Sequence, residues 1–287
     1  MQELVFSYRS GLLRFLVLLN FFLILTVGGC TAYEPTIYDQ QAKGEDAIIV
    51  WPNPPQTPRI QYIQSISGPS DIGVRKSWFK KAIDNIFGTE TMEDRMLRPY
   101  GIFADSERIY VTDPGLFLIH VFDMNGRRYS QIKRANEKEL LSPIGIVVDN
   151  NREIYVSDSL LRRIFIFSEQ GKYLREIGAP DMFIRPTGIA IDEDRVYIVD
   201  THGHHVLVFS KKDGKFLFSF GKNGSKKGDF NYPTNIFISK EKLIYITDSM
   251  NFRVQIFDRD GNFLSTFGNF EIKITAIIKR NIKVKTQ

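Results

Sequence analysis

The chain has one cysteine, Cys30, so no disulfide can staple it internally, and packing and hydrogen bonds must hold its fold. Its 287 residues hold only four histidines, and three of them crowd into "DTHGHHVLVF", Asp200 to Phe209. The fourth, His120, lies in a separate apolar run. A zinc site draws three or four converging ligands, more than His202 and His204 supply between them. No G-x-S-x-G elbow, H-E-x-x-H helix, C-x-x-C pair or Walker loop occurs. The stretch "GKNGSKKGDF" from Gly221 has glycines and lysines without Walker spacing and reads as a solvated linker. The residues therefore name no catalytic group, no metal ligand and no cofactor. Local excess of charge is also missing from the body of the chain. Of the formal +5, residues 1–29 carry +1 and residues 269–287 carry +4, which leaves 30–268 neutral and gives no electrostatic case for nucleic-acid binding.

What is present is a repeat. "RPYGIFADSERIYVTD" from Arg98, "SPIGIVVDNNREIYVSD" from Ser142, "RPTGIAIDEDRVYIVD" from Arg185 and "YPTNIFISKEKLIYITD" from Tyr232 align. Their prolines at 99, 143, 186 and 233 stand 44, 43 and 47 residues apart. A period in the mid-forties with short β-branched and aromatic runs predicts propeller blades of four strands. In the third unit "GIAI" is the inner strand, "RVYIVD" the second, "HVLVF" the third and "KFLFSFG" the outer one. The turns "DMNGRR", "SEQGKY", "KKDGKF" and "DRDGNF" each place a glycine where a hairpin needs a positive φ. Gly101, Gly145 and Gly188 share one place that Asn235 takes in the fourth unit, which predicts a left-handed backbone there.

This pattern, P-x-G-I-x-x-D followed by Y-V-x-D and V-x-V-F, resembles the NHL-repeat family of β-propellers over Arg98 to Gly268. The resemblance implies an all-β fold of NHL-type four-stranded blades, six where four are recognisable. In that family the loop holding "THGHH" often reads G-N-H-R, so histidine at 204 needs no metal. Asp113, Asp158, Asp200 and Asp248 recur in every unit and are expected to bond loop backbone at a strand end. Asp105, Asp149 and Asp192, with Ser239 in the fourth unit, recur likewise and read as structural. Some related propellers are metal-dependent lyases or lactonases, and that enzymatic alternative stays open.

Ahead of the repeats, "MQELVFSYRSGLLR" runs into the apolar "FLVLLNFFLILTV" and ends on "VGGC". A basic region, a short apolar region and small residues before Cys30 resemble the signal and lipobox of bacterial lipoproteins. The implied domains are a signal helix at 1–29, a tether at 30–58 with Cys30 as lipid attachment, and a leader at 59–98. The blades follow at 99–268. Thr31 after the cysteine implies the outer membrane, facing the periplasm or exterior. Within the leader, "PRIQYIQSIS" offers a strand, and "RKSWFKKAIDNIFG", Arg75 to Gly88, a short amphipathic helix. Beyond the fourth unit, the Lys/Ile-rich tail at 269–287 lacks every repeat signal. It reads either as a truncation near Gly268, in the extreme a non-functional product, or as a degenerate hairpin.

Propellers bind through the loops between second and third strands, and such loops more than folds carry function. Here they hold Phe117, Arg162, Arg163, His204, His205, Phe252 and Arg253. Aromatic and arginine side chains anchor protein or peptide partners, so a binding scaffold rather than an enzyme is expected.

Overall fold

The computed structural model describes residues 49–52, 55–74, 95–179 and 181–268. The expected signal, Cys30, the amphipathic helix and the Lys/Ile tail lie outside the described residues. In the unit ending at Gln64, β1 (Val50–Trp51) pairs antiparallel with β2 (Ile60–Gln61). The unit beginning at Ser65 opens with a 3-10 turn, Pro69–Ile72, and contains the blades.

Each blade is a four-stranded antiparallel meander. Blade 1 is β3 (Ile102–Ala104), β4 (Arg108–Asp113), β5 (Leu118–Asp123) and β6 (Arg128–Ile132). A small hairpin, β7 (Arg134–Ala135) and β8 (Lys138–Glu139), leads to blade 2. Blade 2 is β9 (Pro143–Val148), β10 (Ile154–Asp158), β11 (Arg163–Phe167) and β12 (Tyr173–Ile177). Blade 3 is β13 (Pro186–Ile191), β14 (Arg195–Asp200), β15 (His205–Ser210) and β16 (Phe216–Phe220). Blade 4 is β17 (Pro233–Ile238), β18 (Ile244–Asp248), β19 (Arg253–Phe257) and β20 (Phe263–Phe267). Successive blades pack through their first strands, β3 on β9, β9 on β13 and β13 on β17, as the repeat predicts.

The period-2 alternation of each strand decides which blade a side chain serves. Ile146, Ile189 and Ile236, one residue after the repeated Gly/Asn, pack toward the preceding blade, while Phe103 and Val147, two residues after it, pack toward the following one. Strand two behaves the same way. Tyr110, Tyr155 and Tyr197 fill the seam with the following blade, and Ile154, Val196 and Ile244 the seam with the preceding one. Burying each of these large side chains is worth roughly 1.5–3 kcal/mol. At the two ends the same positions meet water. Ile102 is 68% exposed on the leading side of blade 1, and Phe237 is 63% exposed on the trailing side of blade 4. Part of blade 1's leading side is covered by Ile66, Ile72 and Val74, which pack with Val111 and Phe122.

The repeated glycine has a different cause from the one expected. Gly101, Gly145 and Gly188 are not among the residues with positive φ, and neither is Asn235. A Cβ on Gly101 would sit 2.1 Å from the Ile144 carbonyl oxygen, one on Gly145 2.1 Å from that of Thr187, and one on Gly188 2.6 Å from that of Thr234. The glycine thus lets the next blade's backbone approach. Hydroxyls fasten the same seams: Thr112 Oγ1 donates to the Ile144 oxygen at 2.8 Å and Thr187 Oγ1 to that of Thr234 at 3.0 Å. Asn235 fits at blade 4 because no described blade presses on that side. The outer hairpins follow expectation at Gly171, Gly214 and Gly261, which have positive φ. In blade 1 the left-handed residue is Arg127, because the shorter loop there pairs Asp123 with Arg128.

Candidate binding face

Antiparallel order brings four loops between second and third strands, and four connections into first strands, to one end of the blades. The four buried aspartates organise that end. Asp113 accepts from the N–H groups of Leu97 (2.6 Å), Arg98 (3.0 Å), Gly115 (2.9 Å) and Leu116 (3.2 Å). Asp158 repeats this with Leu141, Ser142, Leu160 and Leu161, and Asp200 with Ile184, Arg185 and Gly203. Asp248 accepts from Asn231 N (2.7 Å) and from the side chains of Asn251, Arg253 and Gln255. One carboxylate therefore ties the loop of its blade to the connection that enters it, as the repetition predicted.

Four residues after each aspartate, Phe117, Arg162, His204 and Phe252 have φ of 58°, 54°, 55° and 52°. None is glycine, although this conformation costs a non-glycine residue roughly 1–2 kcal/mol. The same conformation recurs at the opposite end, at Arg127, Arg152 and Lys242, so it is a general feature of these tight turns. Phe117 and Phe252 are exposed, and with them Leu97, Tyr100, Leu141, Leu160, Ile184, Tyr232 and Met250 at the same end. Among the described residues, the turns at the opposite end expose no large apolar side chain. There Asp105, Asp149, Asp192 and Ser239 accept from turn N–H groups. The first three also join blades, through Arg152 at 2.5 Å, Lys211 at 2.8 Å and Arg259 at 2.6 Å.

The loop residues expected from the sequence divide into two groups. Phe117, Arg162, His204 and Phe252 sit on the turns. Arg163, His205 and Arg253, one residue later, turn inward, in the register of Leu118, which is 2% exposed. Arg253 bonds Asp248 (2.8 Å) and the carbonyls of Ser225, Lys226 and Asp229. Arg163 stands 3.5 Å from Glu176, and His205 Nε2 lies 4.0 Å from Asp200. Burial pushes the His205 pKa down, with the Asp200 carboxylate opposing it.

The histidine cluster proves to be a loop clasp. His204 Nδ1 accepts from the Tyr232 backbone N–H at 3.2 Å, and its Nε2 lies 3.2 Å from the Asn223 side-chain amide nitrogen. The rings of His202 and His204 lie edge-on to Tyr232, at 5.5 and 4.7 Å. His120 is buried, 2.7 Å from the Tyr129 hydroxyl and 3.4 Å from Asp113. Burial lowers its pKa against the pull of Asp113. Among the described residues no three His, Cys, Asp or Glu side chains converge to hold a metal ion.

The loops between second and third strands are only part of this face, since the connections supply Leu97, Tyr100, Leu141, Ile184 and Tyr232. A signal for them exists in the sequence: an apolar residue recurs two places before the repeat proline, at Leu97, Leu141 and Ile184, outside any strand.

A family described as 6-bladed beta-propeller matches residues 134–194 and 182–275. Protein brain tumor of Drosophila melanogaster is 31% identical over 89 residues, 30% of this chain and 8% of that protein. Human NHL repeat-containing protein 3 is 30% identical over 94 residues, 31% of this chain and 27% of that protein. The chain thus spans under a third of these relatives. Among solved structures, virginiamycin B lyase from Staphylococcus aureus superposes with a TM-score of 0.51 at 16% identity, over 61% of this chain and 57% of that one. A gluconolactonase from Xanthomonas campestris gives 0.50 at 18%, over 60% and 62%. At such identities these structures speak to the fold alone. The blades are NHL-type propeller repeats.

Proposed function

We propose that the chain is a binding scaffold whose loop-and-connection end receives a protein or peptide partner. One observation carries this reading: within the blades, the large apolar side chains exposed by loops and connections lie at that end, most of them on left-handed or carboxylate-tied backbone. Apolar and aromatic side chains displayed on a pre-organised backbone lose little entropy when a partner covers them. Co-isolation from detergent-solubilised envelopes tests it. Replacing Leu160 and Met250 together by Ser is expected to lower partner recovery at least about tenfold, as loss of roughly 1.4 kcal/mol would. Gln170→Ser at the opposite end is expected to leave recovery unchanged. Equal recovery from both variants overturns the reading.

We also propose, on the "VGGC" stretch, that Cys30 is lipidated and holds the blades outside the inner membrane. Labelling with a fatty-acid analogue should mark the wild-type chain and not Cys30→Ser; labelling of both refutes it. The proposal of further blades is supported by Phe237 and Phe267, exposed where earlier blades are covered by a neighbour. Sequencing the coding DNA past Gly268 tests it: a frame resuming P-x-G-I and Y-V-x-D agrees, and its absence refutes it.

A further inference from the structure

We infer that the partner segment is acidic as well as apolar, with carboxylates beside its large side chains. This rests on the binding-face reading above and adds the partner's chemistry. Most arginines at the opposite end join blades, Arg127 being exposed there without an ion pair among the described residues, whereas at the binding end three stand exposed together. At the opposite end, Arg108 reaches Glu169, Arg195 reaches Asp260, Arg152 is held by Asp105, Glu107 and Glu169, and Arg259 by Asp192 and Asp194. At the binding end, Arg98, Arg162 and Arg185 are exposed, and no hydrogen bond or ion pair engages their guanidinium groups among the described residues. They come from three consecutive blades.

The carboxylates nearest in sequence do not pair with them. Asp113, Asp158 and Asp200 are fully buried and occupied by loop N–H groups. Glu137 and Glu139 share their hairpin with Arg134, 3.8 Å from Glu139, and with Lys138. Asp181 is the remaining exposed acid in the connection to blade 3. Three guanidinium groups interleaved with Leu97, Leu141, Leu160 and Ile184 thus present fork-shaped donors without acceptors, beside apolar surface without cover. Guanidinium forks match carboxylates bidentately, and apolar neighbours favour a chain that carries side chains over a bare polyanion.

The test is a selection of random displayed peptides on the full chain, followed by affinity measurement of synthetic winners by fluorescence anisotropy. Winners rich in Asp or Glu next to Leu, Phe or Trp are expected. Their affinity should fall about tenfold or more in the Arg98→Gln, Arg162→Gln, Arg185→Gln triple variant, and similarly as salt rises from about 0.05 to 0.5 M. Circular dichroism of the variant should match the wild type, since these side chains hold nothing together. Neutral winners that depend on Phe117 and Phe252 but not on the arginines overturn the acidic partner and leave the face reading standing. Winners indifferent to both sets, or no winners, overturn both. A thymidine oligonucleotide binding as tightly as the peptides also overturns the proposal, in favour of phosphate.

Discussion

Replacing Asp158 by Ala removes the acceptor for four backbone N–H groups, those of Leu141, Ser142, Leu160 and Leu161, at 2.8 to 3.1 Å. Methyl cannot replace it, and no other side chain bonds these donors. A buried donor left without a partner costs about 1–3 kcal/mol. These donors sit at a loop edge that water reaches in part, so about 1 kcal/mol each applies, or about 4 kcal/mol in total. For a domain of this size each kcal/mol moves Tm by about 2–4 °C, so differential scanning calorimetry should show a fall of about 8–16 °C. Asp158→Asn keeps one acceptor oxygen and should fall between. The loop 159–162 and the connection at 141–142 lose their common tie, so amide exchange should quicken there first. A fall of less than about 2 °C in the Ala variant would refute the claim that these carboxylates hold the face together.

Three further outcomes follow from the geometry. Burial lowers the His120 pKa, so the unfolded chain binds more protons just below its ordinary value of 6.5. Stability is therefore full above about pH 6.5 and falls as pH drops toward the folded pKa. In blade 4 the same register holds Gln255, which bonds Asp248 at 3.2 Å, so His120→Gln should fit and should flatten that part of a denaturant-midpoint profile; an unchanged profile contradicts the assignment. Gly145→Ala drives a Cβ to 2.1 Å from the Thr187 oxygen and should cost about 1–3 kcal/mol by urea denaturation, whereas Asn235→Ala should stay within about 0.5 kcal/mol. Arg253→Ala strips a largely buried guanidinium from Asp248 and three carbonyls and should cost about 3–5 kcal/mol by the same measurement, since Asp248 is left buried without its charge partner.

The blade, its period and its four strands are legible in the sequence because each repeats, and repetition separates a strand's alternation from chance. The task of the aspartates is legible for the same reason. The cause of the repeated glycine is not, because φ belongs to one chain segment, while the crowding at Gly101 and Gly145 comes from the neighbouring blade. The inward turn of Arg163, His205 and Arg253 can be read from Leu118, the apolar member of their column. Charged residues at a strand's first position look like loop residues until the register is compared. His204 as a clasp could not be foreseen, because its partners Asn223 and Tyr232 lie 19 and 28 residues away in a connection without a repeat.

The central claim is that one end of the blades is the binding face. Site-specific photo-crosslinking in intact cells tests it most directly, with a photoreactive residue at Met250 on that end or at Gln170 on the other. A discrete adduct from Met250, weakened by Phe252→Ala and absent from Gln170, is the predicted result. Adducts of equal yield from both positions, or from Gln170 alone, would contradict it.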